Sequence, residues 1–135
     1  MLRNLLYLAV GAVVLGGCFV SVHTNECATE GNPSQVLRHV VLFKFKDDTS
    51  SQQVREIENA FRALPDKVDA ICDFEWGTDV SVENLQQGFT HCFFVTFRSE
   101  ADRAKYLPHP AHKEFGKMLG PHMDKVIVVD YWTKR

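Results

Sequence analysis

The chain is poor in most of the residues that would place it in a specialised class. Only 4 of its 135 residues are cysteine, too few for a disulfide scaffold, and no two stand in the Cys-x-x-Cys spacing of a zinc or dithiol site. Glycine (8) and proline (5) are sparse, which excludes collagen-like and low-complexity architectures. Neither charge sign dominates: 15 Lys+Arg oppose 17 Asp+Glu, a formal net charge of -2. There is no basic footprint for nucleic acid, and no DNA or RNA partner is expected. No uninterrupted apolar run reaches the ~20 residues of a membrane-spanning helix. What is present is 45% hydrophobic and 11% aromatic, enough for one packed domain.

The longest apolar run, Leu5 to Cys18, follows Arg3 and contains only Leu, Tyr, Ala, Val, Gly and Cys. A short positive start, an apolar stretch too short to span and small residues at its end form the pattern of a secretory signal. The ending Leu15-Gly16-Gly17-Cys18 resembles a bacterial lipobox, whose cysteine is acylated. The expectation is an exported lipoprotein whose Cys18 is held in the lipid bilayer, facing the periplasm or cell exterior. The alternatives are an ordinary signal peptide or an uncleaved anchor. Phe19 to Gln35 is mostly small and polar, without a sustained period, and reads as a tether with a reach of about 20 Å. Cys27, within it, has no positive neighbour to activate its thiol and reads as unpaired or intermolecular. The expected organisation is a signal over 1–17, lipidated cysteine and tether over 18–35, and one domain over 36–135.

Within that domain the hydrophobic period alternates between strand and helix. His39 to Phe45 is β-branched and aromatic, a strand. A Ser50-x-x-Gln53 capping box opens a helix with Val54, Ile57, Ala60, Phe61 and Leu64 on one face, which Pro65 ends. Ile71 to Val80 is a second strand, with Gly77 marking a bulge or close approach, Ser81 to Gly88 a loop, and His91 to Phe97 a third strand. Ser99 and Asp102 cap a helix carrying Ala101, Ala104 and Leu107. Pro110 opens another, with Ala111, Phe115, Met118 and Leu119 inward. Val126 to Trp132 is the last strand. The βαββαβ order predicts an α+β, ferredoxin-like fold: one four-stranded antiparallel sheet with helices on one face. Both sheet faces are apolar and the helices cover only one, so a homodimer packing sheet to sheet is expected. Hairpin symmetry sets Cys72 opposite residues near Thr96, leaving Cys72 and Cys92 as free core thiols.

The segment Tyr106-Leu107-Pro108-His109-Pro110-Ala111-His112, with His91 and Asp130 on neighbouring strands, holds the residues suited to chemistry near neutral pH. His112 and Asp130 are the candidate base and orienting carboxylate, with Tyr106 and His91 as donors to a developing enolate oxygen. The competing reading makes His112 and Asp130 a buried polar contact that locks the helix break. His109 and His112 lack a third ligand at metal spacing. No metal and no cofactor is expected.

His39-Val40-Val41-Leu42-Phe43-Lys44-Phe45-Lys46, Trp76-Gly77-x-Asp79-Val80-Ser81, Gly88-Phe89-Thr90-His91 and the Tyr106 to His112 segment, followed by Asp130-Tyr131, resemble the stress-responsive dimeric α/β-barrel (Dabb) family. The resemblance implies a ferredoxin-like protomer whose sheet joins that of a second copy in a barrel. It implies a pocket between sheet and helices lined by His39, Val41, Phe43, Phe61 and Phe93, beside His91, Tyr106 and His112, for a small apolar or carbonyl-containing ligand. One plant branch of the family closes linear poly-β-ketones by aldol chemistry with a histidine base held by an aspartate, at positions matching His112 and Asp130, assisted at those of Tyr106 and His91. Phe61 stands where that branch has a tyrosine, and Phe43 and Phe93 replace smaller residues, implying a narrower pocket. The resemblance thus leaves a small-molecule binding protein, a cyclase-like lyase or isomerase, or a non-catalytic structural dimer.

Overall fold

The computed structural model describes residues 35–134. The expectations for the signal, Cys18 and Cys27 lie outside the described residues. The elements are β1 (Leu37–Phe45), α1 (Ser51–Arg62), β2 (Asp73–Thr78), β3 (His91–Phe97), α2 (Glu100–Tyr106), α3 (Pro110–Leu119) and β4 (Met123–Trp132).

Each helix begins where a side chain satisfies free amide groups. At α1 the capping box closes in both directions: the Gln53 amide donates to Ser50 Oγ, and the Ser50 amide donates to Gln53 Oε1 at 2.8 Å. Ser99 Oγ accepts from the Asp102 amide at the head of α2. At α3 the cap is His109, whose Nδ1 accepts from the Ala111 amide at 3.2 Å. Pro110 follows at the first turn, where its missing N–H costs nothing. The inward face of α3 is Phe115 and Leu119, four residues apart; Met118, expected inward, is exposed on the flank.

The strands form one antiparallel sheet in the order β2-β3-β1-β4. Its register fixes which residues share a row. On the helix-covered face, Phe74, Val95, His39 and Asp130 form one row, and Trp76, Phe93, Val41 and Val128 the next. On the opposite, open face the rows are Glu75, Phe94, Val40 and Val129, then Gly77, Cys92, Leu42 and Ile127. Gly77 is neither a bulge nor a close approach: it pairs in register with Cys92, and a side chain there would meet open space. The irregularity lies instead at Lys44/Phe45, opposite the start of β4. β2 starts at Asp73 because Ile71 closes a turn onto Val68 and buries its side chain.

Aromatic rings fill the layer between sheet and helices. Phe93 is stacked between Phe61 of α1 at 4.2 Å and Trp76 of β2 at 5.5 Å. Phe43, Ile57, Leu64, Phe115 and Leu119 complete the core. The helices leave β4 uncovered on both sides: Val126, Ile127, Val128, Val129 and Tyr131 are all exposed.

The cysteines divide. Cys72 donates its amide to Thr96 O at 2.8 Å, the pairing expected from the hairpin. Its sulfur, however, is disulfide-bonded, which corrects the free-thiol expectation. Cys92 is a free thiol on the open face.

Candidate functional site

A cavity of about 380 Å³ lies on the helix-covered face, between β1, β4 and the inner side of α3. Its volume sits at the small end of the range for ligand sites, and its walls have the usual apolar character. Val41, Phe43, Phe61, Phe115, Leu119 and Val128 supply most of that wall, while His39, Tyr106, His112 and Asp130 form its polar end. Phe43 and Phe61 therefore narrow the space without filling it. Phe93, expected in the wall, does not line the cavity; it is fully buried between Phe61 and Trp76.

The polar end is built on a rung of the sheet. His39 and Asp130 are direct cross-strand partners, so both side chains rise from the same face, and His39 Nδ1 lies 2.7 Å from Asp130 Oδ1. A carboxylate oxygen accepts, so Nδ1 carries a proton, and in the neutral imidazole the lone pair is on Nε2. The second Asp130 oxygen accepts from Arg103 Nη1 of α2 at 2.9 Å. Asp130 is thereby held from two elements, in the manner of an orienting carboxylate.

The ring of Tyr106 stands edge-on to His39, with centroids 5.9 Å apart, and lies 4.3 Å from the His112 ring. The residue is 1% exposed, and burial pushes its phenol well above the usual tyrosine range. It stays protonated at physiological pH and can act as a hydrogen-bond donor. Among the described residues, no side chain or carbonyl takes that hydrogen bond.

Two of the expected site residues have other partners in this geometry. His112 is not bonded to Asp130: its Nδ1 donates to Leu107 O at 3.0 Å, across the break between α2 and α3, and Asp130 is already engaged by His39 and Arg103. His91 is not at the cavity. It lies two rows up the sheet, about 13 Å from His39 at the rise of a strand, with Nε2 bound to Glu58 Oε1 at 2.9 Å and Nδ1 to Thr90 Oγ1 at 2.8 Å. With both nitrogens engaged it ties α1 to the sheet and has no donor left for a ligand.

Arg103 and Glu58 escaped the reading of the sequence. Arg103 precedes the inward-facing Tyr106 by three residues, a spacing that places both on one helix face. Glu58 follows buried Ile57 at the margin of the α1 core face. Among the described residues no group of three or more His, Cys, Asp or Glu side chains is placed to hold a metal ion.

Residues 37–133 match the family described as the stress responsive A/B barrel domain. The stress-response A/B barrel domain-containing protein HS1 of Arabidopsis thaliana is 42% identical over 95 residues, 70% of this chain and 87% of that protein. Olivetolic acid cyclase of Cannabis sativa is 32% identical over 99 residues, 73% of this chain and 98% of the cyclase. The solved structure of a hydroxynitrile lyase from Passiflora edulis superposes with a TM-score of 0.69 at 31% identity, covering 73% of this chain and 94% of the lyase. Other solved structures of this fold are described as dimeric and ferredoxin-like.

Proposed function

The chain belongs to the stress-responsive A/B barrel domain family, and from that premise we propose that its cavity binds a small, mostly apolar carbonyl compound and moves a proton at the carbonyl end. The observation that carries this reading is the His39–Asp130 bond at the edge of an apolar cavity. With Nδ1 held, His39 Nε2 is the nitrogen left to meet a ligand, and it can take a proton from a hydroxyl or from carbon next to a carbonyl. The buried Tyr106 hydroxyl donates to the oxygen on which charge develops. His112, anchored by Leu107, presents a second Nε2 to the same space. Two relatives named for carbonyl chemistry, a cyclase and a hydroxynitrile lyase, support a reaction of this class.

The test is a titration of the full chain with benzaldehyde, followed by melting temperature, and an assay for release of benzaldehyde from mandelonitrile. The expected result is stabilisation by benzaldehyde, with turnover lost in His39→Ala while binding persists. Absence of stabilisation by the aldehyde at millimolar concentration would overturn the pocket as a carbonyl site. Binding by the wild type without turnover would leave a binding protein.

The open face supports a two-copy assembly. Four strands make an open sheet, so the barrel in the family's description needs a second sheet, and the rows through Val40 and Leu42, charged only at Glu75, are the surface to receive it. Export with acylation of Cys18 is part of the same proposal. A disulfide at Cys72 fits an oxidising compartment, and mass spectrometry of the protein from its own host, showing or lacking an acylated Cys18, decides it.

A further inference from the structure

Helix α3 carries a glycine in its interior. Gly116 stands four residues after His112, about 6 Å further along the helix axis, and the two share a flank that lines the cavity. Phe115, on the neighbouring flank, meets Phe61 of α1 edge-on at 4.8 Å, which turns Gly116 away from α1. Across the cavity from it are Val126 and Val128. Both belong to the helix-covered face of β4, opposite Phe43 and Val41, yet they remain 43% and 50% exposed. Helix α3 therefore does not seal β4, and a gap runs along their boundary.

Nothing in the fold asks for glycine at this position. Inside a helix it is less favourable than alanine. Its backbone is not left-handed, unlike that of Gly88, and a Cβ built on it would meet no atom within 4 Å. A glycine that weakens its helix and relieves no contact leaves room, and this room opens onto the cavity.

We propose that Gly116 sets the length of ligand the cavity accepts: the missing side chain leaves a passage through which an uncharged, apolar tail of the carbonyl compound runs out between α3 and β4, over Val128 and Val126. The inference rests on the carbonyl site proposed above and adds the shape of its ligand. With the carbonyl held at His39 and Tyr106, the body of the ligand lies along Val41 and Val128, the next row of the sheet, about 7 Å on. Whatever it carries beyond that comes level with Gly116. The wall there offers a tail no charge to meet. Among the described residues, Asp130 is the one carboxylate in the lining, already bound to His39 and Arg103, and no lysine or arginine stands beside it.

Calorimetric titration of the full chain with benzaldehyde and with 4-butylbenzaldehyde tests this. The wild type binds the butyl compound at least about tenfold more tightly, as burial of a few methylene groups would give. Gly116→Val fills the gap with a short side chain and abolishes that preference. Gly116→Ala, the better helix former, melts at a higher temperature than the wild type. A wild type that binds both aldehydes equally, or a Gly116→Val variant that still prefers the longer one, overturns the passage and leaves the carbonyl site standing. A Gly116→Ala variant that melts lower than the wild type shows that the fold itself holds the glycine, and overturns the inference as well. A wild type that binds neither aldehyde overturns the carbonyl site, and the passage with it.

Discussion

Arg103 and His39 never touch, yet Asp130 places them on opposite sides of one carboxylate, 2.9 Å from Arg103 Nη1 and 2.7 Å from His39 Nδ1. One strand supplies the histidine, another the aspartate and a helix the arginine. The relationship makes Arg103 a positioning residue: it fixes the Asp130 carboxylate so that one oxygen stays aimed at the imidazole.

Replacing Arg103 by Gln therefore changes His39 more than it changes the fold. In nitrogen-15 spectra of the neutral imidazole, the wild type shows the proton on Nδ1, and the variant shows both tautomers. Arg103→Lys restores the wild-type pattern in part, since a single ammonium replaces a planar fork. An unchanged His39 spectrum in Arg103→Gln would remove the arginine from the site.

The pair formed by His91 and Glu58 behaves in the opposite way. Glu58→Ala leaves a buried ring nitrogen without its partner and lowers unfolding free energy by about 1–3 kcal/mol, measured by urea denaturation. Benzaldehyde affinity stays at the wild-type value, because neither residue lines the cavity. A variant that keeps its stability but loses the ligand would return His91 to the site.

Tyr106 gives a pH signature at the alkaline end. Burial raises its folded-state pKa, while the unfolded chain releases the phenolic proton near pH ~10. Above that pH the folded state binds more protons than the unfolded one, so stability contributed below pH ~10 is lost as pH rises. Urea midpoints of the wild type fall more steeply above pH ~10 than those of Tyr106→Phe. Parallel slopes would show that the phenol is not protected by folding.

Cys92 is the free thiol among the described residues, and burial, with the charge of Glu75 in second place, pushes its pKa up. Iodoacetamide at pH ~8 labels it slowly, because the thiolate is the reacting form. Glu75→Gln removes the smaller cause and speeds labelling roughly twofold to threefold. Slower labelling in that variant would contradict the electrostatic assignment.

The fold was largely legible because its signals are local. Ser50 and Gln53 announce their own capping box, Pro110 its own first turn, and alternating residues in β3 the two faces of the sheet. Gly77 misled because a glycine in a strand is read as a bulge, whereas here it lies on an exposed edge strand where nothing presses on it. The site was legible in its residue types but not in its pairing. His112 closes the Tyr106 to His112 segment and Asp130 stands on the last strand, and residue types alone do not say which histidine the carboxylate meets. Partnership was decided instead by register between β1 and β4, which sets Asp130 across from His39, and by helix α2, which brings Arg103 to the other oxygen. Aligning the two strands as antiparallel neighbours from Leu37 and Trp132 would have found the first pair.

The cross-strand seat of His39 and Asp130 has a bearing on how the protein wears out. Groups mounted on mobile loops lose alignment while the rest of the molecule survives, so heating dulls them early. Here the two side chains share a row of backbone pairing two residues in from the Leu37–Trp132 end of the β1–β4 ladder, and they cannot part unless the strands part there. Loss of function on warming should accordingly coincide with collapse of the whole sheet, with no intact but idle form in between.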